Sequence, residues 1–174
     1  MMTPFRRAAS AALAAALLAL PAAACHAQQP PAGGGATGHD SAWLITNQLQ
    51  PGVVTLPSGL QYKVVHSGPV TGPHPSVDDE VKVNYEGSLL NGTVFDSSFK
   101  RGEPAVFPIA GLIKAWQIAL PLMRPGDEWM LYVPPSLGYG ETGAGGDIPG
   151  GAVLVFRMQL LGVLPKAGDG TATG

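Results

Sequence analysis

The chain has 174 residues, enough for one domain with extensions, and its 45% apolar content is ordinary for a globular protein. With 24 glycines and 17 prolines, turns must be frequent and long helices few. The formal charge is −2, and once Arg6 and Arg7 near the N-terminus are set aside, eight basic residues face twelve acidic ones, a balance that argues against nucleic-acid binding, which needs a basic face to neutralise phosphates.

Arg6 and Arg7 precede an Ala/Leu run over 8–20 that ends at Pro21 among small residues, the pattern of an export signal occupying 1–27. The run is short and alanine-rich beside a membrane span of about 20 strongly apolar residues. Cleavage after Ala24 or Ala27 is expected, leaving a protein soluble in the periplasm. Cys25, the only cysteine, lies at this junction and has no internal disulfide partner. If it carried lipid instead, the chain would be a membrane-tethered lipoprotein. Ala22 stands where such signals usually have a branched residue, so simple cleavage is the preferred reading.

Residues 28–55 read as a flexible linker, since the Gln/Pro/Gly stretch over 28–35 has too few apolar groups to offset chain entropy. Within it, Trp43, Leu44, Ile45 and Leu49 suggest about two helical turns, too few to stand alone in water. They are expected to pack as a flap on the domain that follows. That domain is placed at 56–164, with its core over 79–164 and a disordered tail over 165–174.

Inside it, Val81, Val83 and Tyr85 alternate with Lys82, Asn84 and Glu86, a period of two that puts apolar groups on one face of a strand. Asn91-Gly92 then predicts a tight hairpin before a strand over 93–96. Leu112, Ile113, Trp116 and Leu120 are spaced along one face of a helix predicted over 112–123. Trp129, Leu131 and Val133 alternate again, as do Leu154, Phe156, Met158 and Leu160. One antiparallel sheet wrapped around one short helix is an α+β half-barrel.

Classical reactive groups are scarce. Beyond Pro75 there is neither histidine nor cysteine, which excludes a Ser-His-Asp triad, a Cys-His pair and the usual zinc sets within the domain. His26, His39, His66 and His74 are scattered and are read as solvated. Carboxylate pairs such as Asp96 with Glu103, or Glu141 with Asp147, lie among turns where charges are usually just wet, and Asp127-Glu128 reads as a wet strand edge. Gly143-Ala144-Gly145-Gly146 lacks the Lys and Ser/Thr of a phosphate loop.

Five blocks in order carry more information than any of these groups: Val83 through Gly87, Asn91 through Ser98, Ile113 with Trp116, Leu137 through Gly140, and Leu154 through Phe156. Together they resemble the FK506-binding-protein family of peptidyl-prolyl cis/trans isomerases, of the exported bacterial type, over about 56–164. The resemblance implies an α+β half-barrel, proline-containing polypeptides as substrates, macrolides as inhibitors, and no cofactor or metal; long bacterial relatives dimerise through a much larger N-terminal helical region, which the short apolar segment around Trp43 cannot repeat, so a monomer is expected. It implies pocket walls from Tyr85, Phe95, Phe107, Ile113, Trp116 and Phe156, with Trp116 as the floor under a proline ring. Leu112 precedes Ile113, whose backbone amide resembles a donor to a substrate carbonyl, and Tyr139 resembles the tyrosine whose hydroxyl bonds the ligand. Asp96 matches an acidic group beside the pocket, with a role in polar orientation, and Ile148 matches the tip of a covering loop. Taken singly, each aromatic also fits an ordinary core; it is the ordered set that points to a site. The same pocket could also serve a holdase or binding module without catalysis.

Departures from the family pattern gather at the rim. Ala115 replaces a frequent glycine, Ala105 a position aromatic in some relatives, and Ala144, Gly145 and Asp147 a more apolar covering loop. Pro149-Gly150-Gly151 is expected to make the backbone there looser.

Overall fold

The computed structural model describes residues 39–164, so the stretch expected to be a leader, Cys25 and residues 165–174 lie outside the described residues. Helix α1 (His39–Asn47) is followed by strands β1 (Val53–Thr55), β2 (Gln61–His66), β3 (Glu80–Leu89) and β4 (Val94–Ser97). A short helix α2 (Ser98–Arg101) leads to β5 (Ala105–Pro108), helix α3 (Lys114–Ala119), β6 (Glu128–Val133) and β7 (Leu154–Leu164).

All strand pairings are antiparallel. The sheet runs β1-β2-β6-β7-β3-β4, with β5 also paired to β3. The predicted alternations hold: Val81, Val83 and Tyr85 of β3, Trp129, Leu131 and Val133 of β6, and Leu154, Phe156, Met158 and Leu160 of β7 are all buried. Their registers match across strands, Tyr85 with Met158 and Leu131 with Phe156, so the three rows share one apolar face. Helix α3 closes that face with Ala115, Trp116 and Ala119, and Leu120 and Met123 continue the buried row. The architecture is the expected α+β half-barrel: a sheet that is not closed, wrapped on one short helix.

Two local readings shift. The helix expected over 112–123 is only Lys114–Ala119, because Leu112 and Ile113 are extended (ψ 171° and 151°) and a 3₁₀ turn takes over at Leu120–Leu122, around Pro121. Proline lacks the N–H that a continuing α-helix would use. At the β3–β4 hairpin, Gly92 takes the left-handed conformation (φ 84°), while Asn91 caps the turn by accepting Thr93 N–H at 2.9 Å. The closing bond runs from Leu89 N–H to Thr93 O at 2.9 Å, so the loop is one residue longer than a two-residue turn and β4 starts at Val94.

Helix α1 and β1 fall inside the stretch whose composition reads as linker. Leu44 and Asn47 are buried. Asn47 Nδ2 donates to Gln61 Oε1 at 2.8 Å, Gln61 Nε2 donates to Leu44 O at 2.8 Å, and Trp43 tilts onto Tyr132 at 5.6 Å. Gln61 and Tyr132 are cross-strand partners whose side chains point away from the core row of Leu131, so α1 covers the convex back of the sheet.

Several groups read as solvated have fixed structural partners. His74 Nδ1 lies 3.1 Å from Met123 O, and its Nε2 is 2.9 Å from Arg124 Nε, which donates to it. Asp127 is buried and accepts Gly68 N–H at 2.6 Å and Arg124 N–H at 2.8 Å, pinning the 67–79 connection onto the turn before β6. Glu128 is held by Arg157 at 2.6 Å and Gln159 at 2.8 Å. The Arg157 guanidinium pulls its carboxyl below the ordinary range. These are scaffold contacts that a composition argument misses.

Candidate functional site

The site grows from one indole. Trp116 lies in the first turn of α3, where Ile113 acts as N-cap and its carbonyl accepts Trp116 N–H at 2.9 Å. As a cap residue, Ile113 keeps its own N–H outside the helical ladder. Gln117 folds back to donate to Leu112 O at 2.7 Å and Ala110 O at 3.2 Å, fixing the extended segment that presents Leu112 and Ile113. Helical spacing buries Trp116 against the strand row.

Three rings meet that indole edge to face or nearly so: Tyr85 at 5.1 Å and 79°, Phe156 at 5.3 Å and 83°, Phe107 at 6.1 Å and 68°. Phe95 meets Phe156 at 5.7 Å and 85°, and Tyr85 meets Phe107 at 5.9 Å. Such perpendicular pairs place the positive ring edge on the negative face. Trp116, Phe156 and Tyr85 are buried, whereas Phe95, Phe107, Leu112 and Ile113 are half-buried. The arrangement is therefore a buried floor with a partly open apolar rim. The Trp116 Nε1–H is buried with no hydrogen-bond partner among the described residues, a desolvated donor that costs about 1–3 kcal/mol.

Backbone approach is as close as the rings. A Cβ built on Gly87 would lie 2.6 Å from the Phe95 ring and 2.7 Å from Phe156, so only glycine lets β3 pass beneath both.

A polar cluster borders the nest. The Tyr85 hydroxyl donates to Asp96 Oδ2, and Arg101 donates to Asp96 Oδ1 and, at 3.0 Å, to the Tyr85 oxygen. The guanidinium also lies over the Tyr85 ring at 5.5 Å. Burial pushes the Tyr85 phenol up, and the Asp96 carboxylate pushes it further. Burial alone would raise the Asp96 carboxyl, but the bonds from Tyr85 and Arg101 outweigh it and hold it below the usual carboxylate range. Arg101 is thus a site residue that the sequence reading did not single out. Its signal was present: Ser97 caps α2 by accepting Lys100 N–H at 3.3 Å and Gly102 ends it at φ 78°, which turns Arg101 back toward Asp96. Ser98 was likewise missed; its buried hydroxyl accepts Tyr85 N–H at 2.8 Å and locks α2 to β3.

Seven of the ten expected site residues are joined by contacts around this nest: Tyr85, Phe95, Asp96, Phe107, Trp116 and Phe156 directly, and Ile113 as the cap of α3. Leu112 packs partly against the same core. Ile148 is buried in that core rather than projecting from a loop tip, and Tyr139 is 39% exposed after the Pro135–Leu137 turn, outside the ring contacts. The loop expected to be loose is closed on itself. Ala144 and Ile148 exchange hydrogen bonds at 2.9 and 3.2 Å, and Gly151 N–H reaches Gly140 O at 2.9 Å. Side chains at Gly143 and Gly150 would strike the Ile148 and Glu141 carbonyls, so both glycines let the two arms of the loop approach closely, and Gly143 also takes the left-handed conformation (φ 72°). Among the described residues no three His, Cys, Asp or Glu side chains converge as metal ligands, and no helix is long and apolar enough to cross a membrane.

A half-barrel of this topology around an aromatic nest on one short helix defines a class of fold, and comparison with known proteins gives the family. Residues 72–161 match the model of the FKBP-type peptidyl-prolyl cis-trans isomerases, and the chain belongs to that family. Residues 6–64 match the domain described as amino terminal to such isomerases, a match that begins inside the stretch read as a leader. The chain is 54% identical over 125 residues to the peptidyl-prolyl cis-trans isomerase Mip of Coxiella burnetii, covering 72% of this chain and 54% of that protein. It is 48% identical over 122 residues to the FKBP-type 22 kDa peptidyl-prolyl cis-trans isomerase of Escherichia coli, covering 70% and 58%. The crystal structure of FkpA from Escherichia coli is similar at a TM-score of 0.69 and 38% identity, over 73% of this chain and 58% of that one. The chain thus spans a little over half the length of these relatives.

Proposed function

We propose that this protein is a peptidyl-prolyl cis/trans isomerase acting on exported polypeptides, with the nest around Trp116 as its active site. The observation that carries the reading is the set of three rings packed at steep angles on one buried indole, with half-buried aromatics at the rim and a polar cluster at one side.

Rotation about an X–Pro bond is slow because amide conjugation imposes a barrier of about 18–20 kcal/mol. At the twisted transition state that conjugation is lost, so a site that binds the twisted form better than either planar form accelerates the reaction. The proline ring rests on Trp116 between Tyr85 and Phe156, while Phe95, Phe107, Leu112 and Ile148 exclude the water that would hydrogen-bond the planar carbonyl. The Ile113 N–H offers a fixed donor to a substrate carbonyl, and the exposed Tyr139 hydroxyl a second one to the bound chain. Asp96, held ionised between Tyr85 and Arg101, orients rather than transfers a proton. No proton, electron or leaving group moves, and no cofactor is required.

The substrates are proline-containing polypeptides, macrolides are expected to compete for the same nest, and the protein acts as a monomer. The basic-apolar-small leader supports export to the periplasm, with a membrane tether at Cys25 as the alternative; one relative, from Legionella longbeachae, is named an outer membrane protein. The mass of the protein recovered from cells separates cleavage from lipidation.

The test is the relaxation of a short proline peptide from cis to trans, with and without catalytic amounts of the protein. The uncatalysed process takes tens of seconds or longer; a clear shortening supports the reading, and a folded protein that leaves the rate unchanged refutes it. Exposed Ile45, Leu49, Val64 and Val65 favour one second reading, a holdase that binds unfolded chains. It would suppress aggregation of an unfolded client without shortening the peptide relaxation.

A further inference from the structure

We propose that helix α1 braces the loop over 138–151, and that Asp40 is the positioning residue through which it does so. The inference rests, for its activity arm, on the isomerase reading given above.

Strand β7 has its last two-sided pairing at Leu154, which faces Leu89 of β3 and Val133 of β6. Val153 lies one residue beyond both ladders, where the loop rejoins the sheet, and it is fully buried. A buried backbone N–H needs a partner, and neither ladder supplies one at this position. Among the described residues its partner is the Asp40 carboxylate, in the first turn of α1, at 3.3 Å. The rest of α1 is tied to the back of the sheet by the Asn47–Gln61–Leu44 amide relay and by Trp43 on Tyr132. Tyr132 is one residue from the end of β6, the strand that feeds the other root of the same loop. The helix therefore bears on both roots of residues 134–153.

Movement at the root is transmitted because the loop cannot absorb it. The Ala144–Ile148 exchange and the Gly151–Gly140 bond make it one closed unit, and Ile148 anchors that unit in the cluster containing Trp116, Tyr85 and Phe156. A load on the segment preceding α1 would thus reach the substrate nest through a hydrogen bond and a packed loop, although α1 itself lies on the opposite face of the sheet.

The experiment compares the full-length protein with its Asp40→Ala and Asp40→Asn variants by amide hydrogen exchange and by peptide isomerisation, with thermal unfolding as a check on the fold. Asp40→Ala should speed exchange at Val153 and across 139–151 by roughly ten- to a hundredfold, the range expected when a buried amide loses its partner. It should also raise KM at least about threefold, with a smaller effect on kcat, since the loop positions substrate. Asp40→Asn keeps an acceptor oxygen and should restore both. Wild-type exchange over 139–153 in folded Asp40→Ala overturns the proposal, as does an equal loss in both variants, which would trace the effect to charge at the start of α1. If wild type and variants all lack isomerase activity, the isomerase reading fails while the exchange result still decides the brace.

Discussion

Replacing Gly87 by alanine is the sharpest test of the nest. In most strands this change is neutral or favourable, because alanine loses less chain entropy than glycine, and Gly87 is not at a positive φ. Here the added methyl would sit 2.6 Å from Phe95 and 2.7 Å from Phe156, roughly 1 Å inside normal carbon contact. Phe156 is packed on Trp116 at 5.3 Å and cannot retreat without disturbing the floor, so the half-buried Phe95 must swing outward. Overpacking of this kind costs about 1–3 kcal/mol of stability, a loss a domain of this size should survive. The effect on catalysis should be larger, since a wall displaced by about 1 Å can lower the rate by as much as 10²-fold. Urea unfolding and kcat/KM for a proline peptide, measured on the same preparation, give the comparison. A folded Gly87→Ala protein with kcat/KM within about twofold of wild type would refute the claim that Phe95 and Phe156 form the working wall.

Activity should be nearly flat from about pH 6 to 8, because Tyr85 is raised from 10.0 and Asp96 lowered from 3.8, leaving neither to titrate there; a steep profile would contradict the mechanism. The stability contributed by Asp96 is present above its unfolded value and lost as pH falls through its lowered folded value, so acid unfolding should move to higher pH in Arg101→Met, read by circular dichroism. Phe95→Ala should lower kcat/KM more than Asp96→Asn, which keeps a polar group of the same shape, and Trp116→Ala should in addition lose roughly 3–5 kcal/mol of stability. Deleting residues 1–50 removes the buried Leu44 and the Trp43–Tyr132 contact and should lower stability by about 2–4 kcal/mol, while turnover of a saturating short peptide persists on the opposite face; coincident unfolding curves with and without the segment would show that α1 does not dock.

The sheet was legible because its inner rows alternate strictly over β3, β6 and β7, and a period of two leaves little choice of face. The nest was legible only as a set: Phe156 or Tyr85 alone reads as core, and both are in fact buried in the core as well as packed on Trp116. Failures came where a residue's role depends on what folding brings to it. His74 reads as a solvated histidine until the Met123–Arg124 turn closes on both its nitrogens. Arg101 was overlooked because its link to Asp96 runs through the caps of a four-residue helix, Ser97 and Gly102, rather than through a helical repeat. Pro149-Gly150-Gly151 reads as loose backbone, whereas at Gly150 what matters is the missing side chain, which lets the Glu141 carbonyl approach.

The chain's three tryptophans occupy three different places: Trp43 on the convex back against Tyr132, Trp116 at the floor of the nest, and Trp129 stacked flat on Tyr62 at 4.3 Å. Intrinsic fluorescence therefore carries three spatially separate signals from one unlabelled molecule. Emission from Trp116 should respond to occupancy of the nest, emission from Trp43 to undocking of the helix on the far side, and emission from Trp129 to opening of the β2–β6 pairing. Proteins keeping one indole at a time, with the other two replaced by phenylalanine, would turn the fold into its own set of optical probes, able to time whether the back of the sheet moves before, with or after the arrival of a peptide at the front.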